Sequence, residues 1–558
     1  MKRDLRELGT TTFDLLIVGG GIYGACAARD AVERGLSVAL VERSDFAAAT
    51  SANPYKVVHG GIRYLQHLDF WRTRQSAAER NTLLRIAPHL VSPLPIVVPT
   101  YGMGRKGKAL LGAGSAVYDF FTLDRNRGIG DSARRIPKGR IISRREVCRL
   151  FPKLVDDGAT GGLVFFDGQI YSPPRLALAF LRSAATAGAV VANYLEVTQF
   201  LAGDKRVSGV LACDRLSNTE VEIRAKVVLN ATGPWAAHLL SAGAGIEARP
   251  APSFSRDVCL VMNRSWSSEY GLAVAARNKD PDAVFSRGAR HLFAVPWRDY
   301  TLIGVWHRVH GNGPDEVSVT ETELSTFVEE INEAMPGVEF SRAEISKVNS
   351  GLVLFGENDP DTKNLSYGKR TLLIDHRIHD KLAGIISLIG VRYTTARRDA
   401  AKAVDLVVET LGIKAIPCNT AAKPVHGGDI EDLQGLLKSA YDTAVKVPRA
   451  SLEALVRNHG SGYGKVLSLV GEDPRLARPL GPSKVIAAEV VYAAREEMAL
   501  KLSDVVERRT DLGSAGDPGE TALLEAAQLM REELGWSEER TQGELAEVRS
   551  GAQGQIGE

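Results

Sequence analysis

Cysteine is scarce in this 558-residue chain: Cys26, Cys148, Cys213, Cys259 and Cys418 are its five, widely separated and odd in number. They show neither the paired spacing of a zinc site nor a disulfide framework, so no metal site is expected and the thiols are expected reduced, as in a cytoplasmic protein. An excess of one charge is also missing. Lys and Arg number 69 against 67 Asp and Glu, and the cations are spread along the chain, which removes nucleic acid as the default partner and makes any basic patch a local feature. Long apolar runs are lacking as well: no window of about eighteen residues is free of charges or glycine clusters. The amino terminus, MKRDLRELGT, has no apolar signal-peptide core. The expectation is a chain neither exported nor spanning a membrane. At 44% apolar residues, a chain of this length exceeds what one core serves, so two or more domains are expected.

The strongest pattern runs from Phe13 to Glu42. FDLLIV is a short apolar run suited to a strand buried on both faces, and it leads into Gly19-Gly20-Gly21-Ile22-Tyr23-Gly24. Ala25, Ala28 and Val32 then recur at helical spacing for about three turns, with Gly35 as a C-terminal cap. A second apolar strand, LSVALV, ends on Glu42. Each part has a task in holding a dinucleotide: Gly19 permits the tight turn, Gly21 lets pyrophosphate approach the backbone and helix N-terminus, and Gly24 lets helix and strand pack closely. Glu42 is placed to accept from a ribose diol. Strand, turn, helix, strand and acid in that order specify far more than a lone GxGxxG.

This unit alone does not distinguish a flavin from a nicotinamide. After Glu42 the chain enters RSDFAAATSANPYKVVHGGIRYL, which has few strand features, instead of completing a βαβαβ half. Far downstream, Val221 to Leu229 reads as another strand, closing on Asn230-Ala231-Thr232-Gly233-Pro234-Trp235. Its small residues suit close approach of a cofactor, or an ordinary Gly-Pro turn.

The segments FDLLIVGGGIYGACAARDAVERGLSVALVERSDFAAATS, KVVHGGIRYL, LLRIAPHLV, NATGPW, FAVPWRDYTLIG, GVRYTTARR and AAREEMALKLSDVVERRTDLG follow one another in this order. In this the chain resembles the FAD-dependent glycerol-3-phosphate dehydrogenases, from about Phe13 to Leu545. The resemblance implies an α/β fold in which a Rossmann-like FAD-binding domain is interleaved with an antiparallel-sheet substrate domain over residues 1–416. A helical C-terminal domain over 417–548 and a flexible tail over 549–558 follow. Ser350-Gly351 is expected beyond the substrate-domain strands, and Asp517-Pro518-Gly519-Glu520 as an N-cap with a capping-box acid, ahead of a buried face of Leu523, Ala527, Met530 and Leu534.

The resemblance further implies FAD as cofactor, contacted by Gly19, Gly21, Gly24, Glu42, Thr50, Ser51, Gly60, Gly61, Thr232, Gly233, Gly390 and Thr394. By the same resemblance Arg63 would supply a cationic fork to a substrate phosphate, beside Tyr64 and Arg392. His59 and His307 are the candidates for the base that takes a hydroxyl proton. Their plain alternatives are a cofactor-packing residue and a surface residue. The implied partners are a small anionic substrate, a quinone or other electron acceptor, and a membrane touched peripherally through the basic, apolar segment 105–140. That places the chain in the cytoplasm or at the membrane's cytoplasmic face; a homodimer is left open.

Departures from the family pattern gather at the substrate positions. Where relatives show Ser-Gly-x-Arg-Pro-Leu, this chain reads Ser350-Gly351-Leu352-Val353-Leu354-Phe355, and the lysine before their Thr-Thr pair is Arg392. Gly304-Val305-Trp306-His307 stands for Gly-Thr-Thr-Asp, and Arg256-Asp257-Val258-Cys259 for Lys-Gly-Ser-His. Three readings stay open: His307, Arg308 and Arg392 rebuild an anion site for glycerol 3-phosphate or a related phosphorylated polyol; a non-phosphorylated alcohol, hydroxy acid or amine is oxidised; or the chain is a catalytically degenerate flavin-binding protein.

Overall fold

A computed structural model describes residues 1–102, 107–152, 158–245, 253–266, 268–279, 289–311, 313–355, 370–443, 446–553 and 556–557. The side chains of Arg63, Gln66, His67 and residues 276–279, 289–290, 552–553 and 556–557 are outside the described set, as are Arg105 and Lys106.

The FDLLIV run forms the strand Thr12–Val18, with Leu15, Leu16 and Ile17 fully buried. It is apolar on both faces because it is central, paired in parallel with Val38–Val41 on one side and Glu220–Asn230 on the other. Val18 lies opposite both Val41 and Asn230, so three carboxyl ends meet on one edge, where the glycine turn begins. The sheet continues through Ile385–Ile389 to Leu372–Asp375 on one side and to Val190–Ala192 on the other. Helix Ile22–Glu33 follows the turn, with Ala25 and Ala28 at zero exposure, and ends where Gly35 takes φ +91° and donates to Val32 O. Its small residues let helices Pro173–Thr186 and Ala396–Leu411 share one core with it.

A second sheet runs Ile345–Leu354, Phe254–Met262, Tyr300–His310, Ala289–Trp297, Gly271–Lys279, Val91–Tyr101, Ala159–Ile170, Val57–Val58. Its pairings are antiparallel except between Gly271–Lys279 and Val91–Tyr101, which run parallel. Strands of the two sheets alternate along the chain, which is the interleaving expected. Ser350 and Gly351 correct the expectation for them: they sit inside the strand Ile345–Leu354, where Asp257 faces Gly351 in register.

The C-terminal part is helical, with helices Leu433–Thr443, Arg449–His459, Tyr463–Glu472, Ala487–Glu496, Glu520–Leu534 and Glu538–Gln553. Leu523, Ala527 and Met530 are buried in its own core, with Leu534 packed against them. The cap differs from the reading: Gly519 is the N-cap of Glu520–Leu534 with no side-chain bond, and Asp517 accepts from Gly519 N at 2.9 Å, tightening the preceding turn. Helix Glu538–Gln553 runs through the residues expected to start the flexible tail, and Ile556–Gly557 pairs in parallel with Val319–Thr320. Among the described residues no helix is long and apolar enough to cross a membrane.

Buried charges fasten this part to the first sheet's domain. Asp45 accepts from Arg508 Nε, Arg509 Nη1 and Arg509 Nη2, each at 2.7 Å, and from Asn193 Nδ2 at 3.0 Å. Glu497 likewise holds Arg175 and Arg182 of helix Pro173–Thr186.

Candidate active site

A cavity of about 1210 Å3 opens at the carboxyl edge of the first sheet and reaches the second. It exceeds the roughly 300 to 1,000 Å3 of ordinary small-molecule sites, which leaves room for a dinucleotide and a small substrate together. Gly19, Gly21, Glu42, Thr232 and Gly233 line it from the first sheet. Asp257, His307, Gly351 and Val353 line it from the second. The connecting segments add Thr50, Ser51, His59, Gly61, Tyr64 and Arg72, and the return to the first sheet adds Gly390, Arg392 and Thr394. Two predicted contacts sit behind this wall. Gly24 is packed beneath the turn against Gly19 O, and Gly60 against Arg80 and Tyr118.

The dinucleotide end fits FAD. Gly19 takes φ +108°, and a Cβ there would meet Ala231 O at 2.7 Å, so only glycine lets the first strand turn beside Ala231-Thr232. At Gly21 a Cβ would meet only Ser51 Oγ, at 3.0 Å; the backbone otherwise faces open cavity at the N-terminus of the twelve-residue helix, as a pyrophosphate requires. Ser51 Oγ accepts from Ile22 N at 3.0 Å, and Thr50 Oγ1 accepts from Leu352 N at 3.3 Å, tying this loop to the second sheet. Glu42 accepts from Gly20 N at 2.7 Å and Ser44 N at 2.9 Å. Burial pushes its pKa up against those two amide donors. Its remaining lone pairs suit a ribose diol, so Glu42→Ala is expected to weaken FAD binding by about 1 to 3 kcal/mol. Flavin retention on serial dilution checks this; unchanged occupancy places the ribose contact elsewhere.

At the other end, two guanidinium groups share one aromatic ring. Arg72 lies 4.6 Å and Arg392 4.9 Å from the centroid of Tyr64. Burial, and then the charge of Arg392, pull the pKa of Arg72 down. Tyr23, in the first turn of helix Ile22–Glu33, holds the backbone under Arg392: its hydroxyl donates to Arg392 O at 2.9 Å and accepts from Val391 N and Arg392 N at 3.2 Å. The Arg63 side chain, first choice for the anion fork, lies outside the described residues; its backbone belongs to the short 3-10 helix Ile62–His67.

His307 faces Asp257 across the strand pair and lines the cavity. Arg308 does not join it. It reaches the opposite face, where Glu323 accepts from its Nη1 at 2.6 Å and also pairs with Arg256. Successive strand residues alternate faces, so one of the pair had to point away. His59 rests with Nδ1 3.1 Å from Asp167 Oδ2. Val353 brings an apolar side chain to the wall.

Arg72 and Asp167 were not singled out from the sequence. For Arg72 the only signal is a cation in the first turn of a helix soon after HGGIRY, where Asp69 caps Arg72 N. For Asp167 it is an acid inside the apolar strand run LVFFDGQI, where it is 2% exposed.

Comparison with known proteins agrees with this architecture. The FAD dependent oxidoreductase family (DAO) matches residues 14–372, and the C-terminal domain of alpha-glycerophosphate oxidase matches residues 418–541. Glycerol-3-phosphate dehydrogenase of Synechocystis is 31% identical, covering 96% of each chain. The mitochondrial glycerol-3-phosphate dehydrogenase of Mesocricetus auratus is also 31% identical, over 96% of this chain and 72% of its own. In fold, the X-ray structure of glycerol-3-phosphate dehydrogenase from Bacillus halodurans complexed with FAD superposes with a TM-score of 0.75 at 23% identity, over 98% of this chain and 96% of that one. The strand, glycine turn and acid that shape the dinucleotide end, and the helical domain pinned behind it, are thus those of the FAD-dependent oxidoreductases, and the chain belongs to that family, among the glycerol-3-phosphate dehydrogenases.

Proposed function

We propose that the chain oxidises glycerol 3-phosphate to dihydroxyacetone phosphate. The observation that carries this is the pair of guanidiniums on Tyr64 in the cavity wall: Arg392 and Arg72, the latter also paired with Asp69 at 3.5 Å, lie against one ring, and a phosphate takes a planar fork from each. The curated relatives named for this substrate cover nearly the whole chain. FAD, when bound, supplies the hydride acceptor for the secondary alcohol carbon. The chain's own groups then have three tasks. Arg72 and Arg392, with Arg63 from the same stretch, fix the phosphate and thereby the carbinol carbon. His59 and His307 are the cavity's candidates to accept the hydroxyl proton. Tyr23 couples the cofactor turn to the placement of Arg392. Flavin bleaching by glycerol 3-phosphate but not by glycerol tests this reading. Val353 favours the alternative of a non-phosphorylated substrate, because it is apolar where relatives carry arginine. That alternative requires neutral alcohols or amines to bleach the flavin equally well.

For the acceptor, we read a membrane-borne quinone reached by peripheral docking. The support is an apolar surface around the helix Lys108–Phe121. Phe120 (70% exposed), Leu123 (71%) and Trp71 (67%) flank the stacked Phe70–Phe121 pair, with Arg398 beside Trp71. Flotation with vesicles containing anionic lipid is expected to carry the protein, and Phe120→Asp with Leu123→Asp is expected to leave it behind. Equal flotation of the variant removes this surface from the account.

A further inference from the structure

We propose that Asp167 is a positioning residue that holds His59 with Nδ1 protonated and Nε2 open, which makes His59 the group that takes the substrate's hydroxyl proton. This rests on the reading of the cavity as a secondary-alcohol site, and the geometry adds the tautomer.

Asp167 Oδ2 lies 3.1 Å from His59 Nδ1. A carboxylate only accepts, so the facing nitrogen must carry the hydrogen and the other ring nitrogen is left with a lone pair. The other oxygen, Oδ1, accepts from Gly60 N at 2.6 Å and lies 3.6 Å from Arg80 Nη1. Arg80 has zero exposure and is itself fixed, donating to Phe166 O at 2.6 Å and to Tyr118 Oη at 3.0 Å. Tyr118 donates in turn to Gly60 O at 3.0 Å. Groups from the strand Ala159–Ile170 and the helices Phe70–Ile86 and Lys108–Phe121 thus lock the carboxylate and the backbone carrying His59. The ring of Phe293, 6.2 Å away centroid to centroid, lies against the imidazole from the second sheet. The His59 side chain remains 43% exposed and lines the cavity while that of Asp167 is buried, so the pair has one end in the protein and one in the substrate space. When the carbinol carbon gives up its hydride, the O–H bond breaks, its proton passes to Nε2 and the C–O bond becomes a carbonyl. The imidazolium so formed is stabilised by Asp167.

This arrangement makes Asp167→Asn a specific reagent. Gly60 N–H demands an acceptor at the Oδ1 position, and Arg80 there is a donor too, so the new amide must keep its oxygen on that side and turn its NH2 toward His59. The amide then donates to Nδ1, and the hydrogen of the neutral ring moves to Nε2, blocking the nitrogen that faces the cavity. In stopped-flow reduction of the FAD-loaded protein by glycerol 3-phosphate, Asp167→Asn is expected to slow reduction about 10²- to 10⁴-fold with substrate affinity little changed. It is expected to add almost nothing when His59 is already glutamine, because residues acting as a unit are not additive.

A second readout needs no turnover. An unprotonated ring nitrogen attacks a carbonyl of diethyl pyrocarbonate and expels ethyl carbonate, so the peptide containing His59 is expected to be carbethoxylated in the wild type, protected by glycerol 3-phosphate, and modified about tenfold more slowly in Asp167→Asn. A role for Asp167 in packing alone would leave that rate unchanged or raise it. Wild-type reduction by glycerol 3-phosphate is the control: its failure removes the functional reading, while the modification rates still test the tautomer. Should Asp167→Asn not retain flavin, the wild-type modification decides, and a His59 that is unreactive or unprotected overturns the proposal. Equal rates of the two proteins overturn it as well. So does full activity of His59→Gln, which would put the base elsewhere, with His307 next in line.

Discussion

Arg392→Ala is expected to lower kcat/KM for glycerol 3-phosphate by about 10²- to 10³-fold, the equivalent of about 3 to 4 kcal/mol, within the range for removing one partner from a desolvated charge pair. The loss arises because Arg392 and Arg72 both lie against Tyr64, so deleting one guanidinium leaves the phosphate half clamped and the carbinol carbon misplaced. Arg392→Lys keeps the charge but loses the planar fork, and is expected to recover only part of the rate. Neither change should much alter what little turnover glycerol gives, since a neutral alcohol makes no use of the cations. Flavin content serves as the control, because Gly390 and Thr394 line the same cavity on either side of Arg392. Steady-state kinetics on both substrates reads the outcome, and equal losses on glycerol and its phosphate would mean that Arg392 only shapes the cavity.

The second large effect concerns assembly. Asp45→Asn is expected to destabilise the protein by about 3 to 5 kcal/mol, because Arg509 would lose its carboxylate while buried, and Arg508 would keep only Asp504 and Glu507. Burial alone would raise the pKa of Asp45, but Arg509 and Arg508 outweigh it and hold it below its ordinary value of 3.8. A depressed carboxylate contributes stability that is complete above the unfolded pKa and is lost as pH falls through the folded one. The gap between wild type and variant should therefore be full at pH 7 and shrink only below about pH 4. Urea unfolding followed by flavin release checks both magnitude and window, and a gap that widens in acid would refute the sign. Asp45 lies between Glu42 and Ser51, so the variant should also loosen FAD, which links the helical domain to the cofactor loop.

What could be read in advance was local. The strand, turn, helix, strand and acid between Thr12 and Glu42 lie within about thirty residues and are set by hydrophobic period and glycine spacing, which a sequence displays directly. The interleaving came through the resemblance, because a strand's sheet depends on partners far away in the chain. Ser350-Gly351 was misplaced for that reason: nothing within the segment shows that Phe254–Met262 pairs along it. Arg308 was a different kind of miss. It was grouped with His307 although adjacent residues of a strand face opposite ways, a rule available from the sequence once Tyr300–His310 is taken as a strand. Asp167 was out of reach, since its meaning depends on His59, 108 residues earlier. Arg72 and Arg392 become a pair only through Tyr64, which no spacing reveals.

Whether the site reads a phosphate is tested most directly by anaerobic titration of the FAD-loaded wild-type protein with glycerol 3-phosphate and, separately, with glycerol, following the visible absorbance of the flavin. Full bleaching by glycerol 3-phosphate is expected at concentrations at least about 10²-fold below any that act for glycerol, the discrimination that follows from losing the paired arginine contacts. Bleaching by glycerol at equal concentration, or none by glycerol 3-phosphate in a protein that dithionite still reduces, would contradict it.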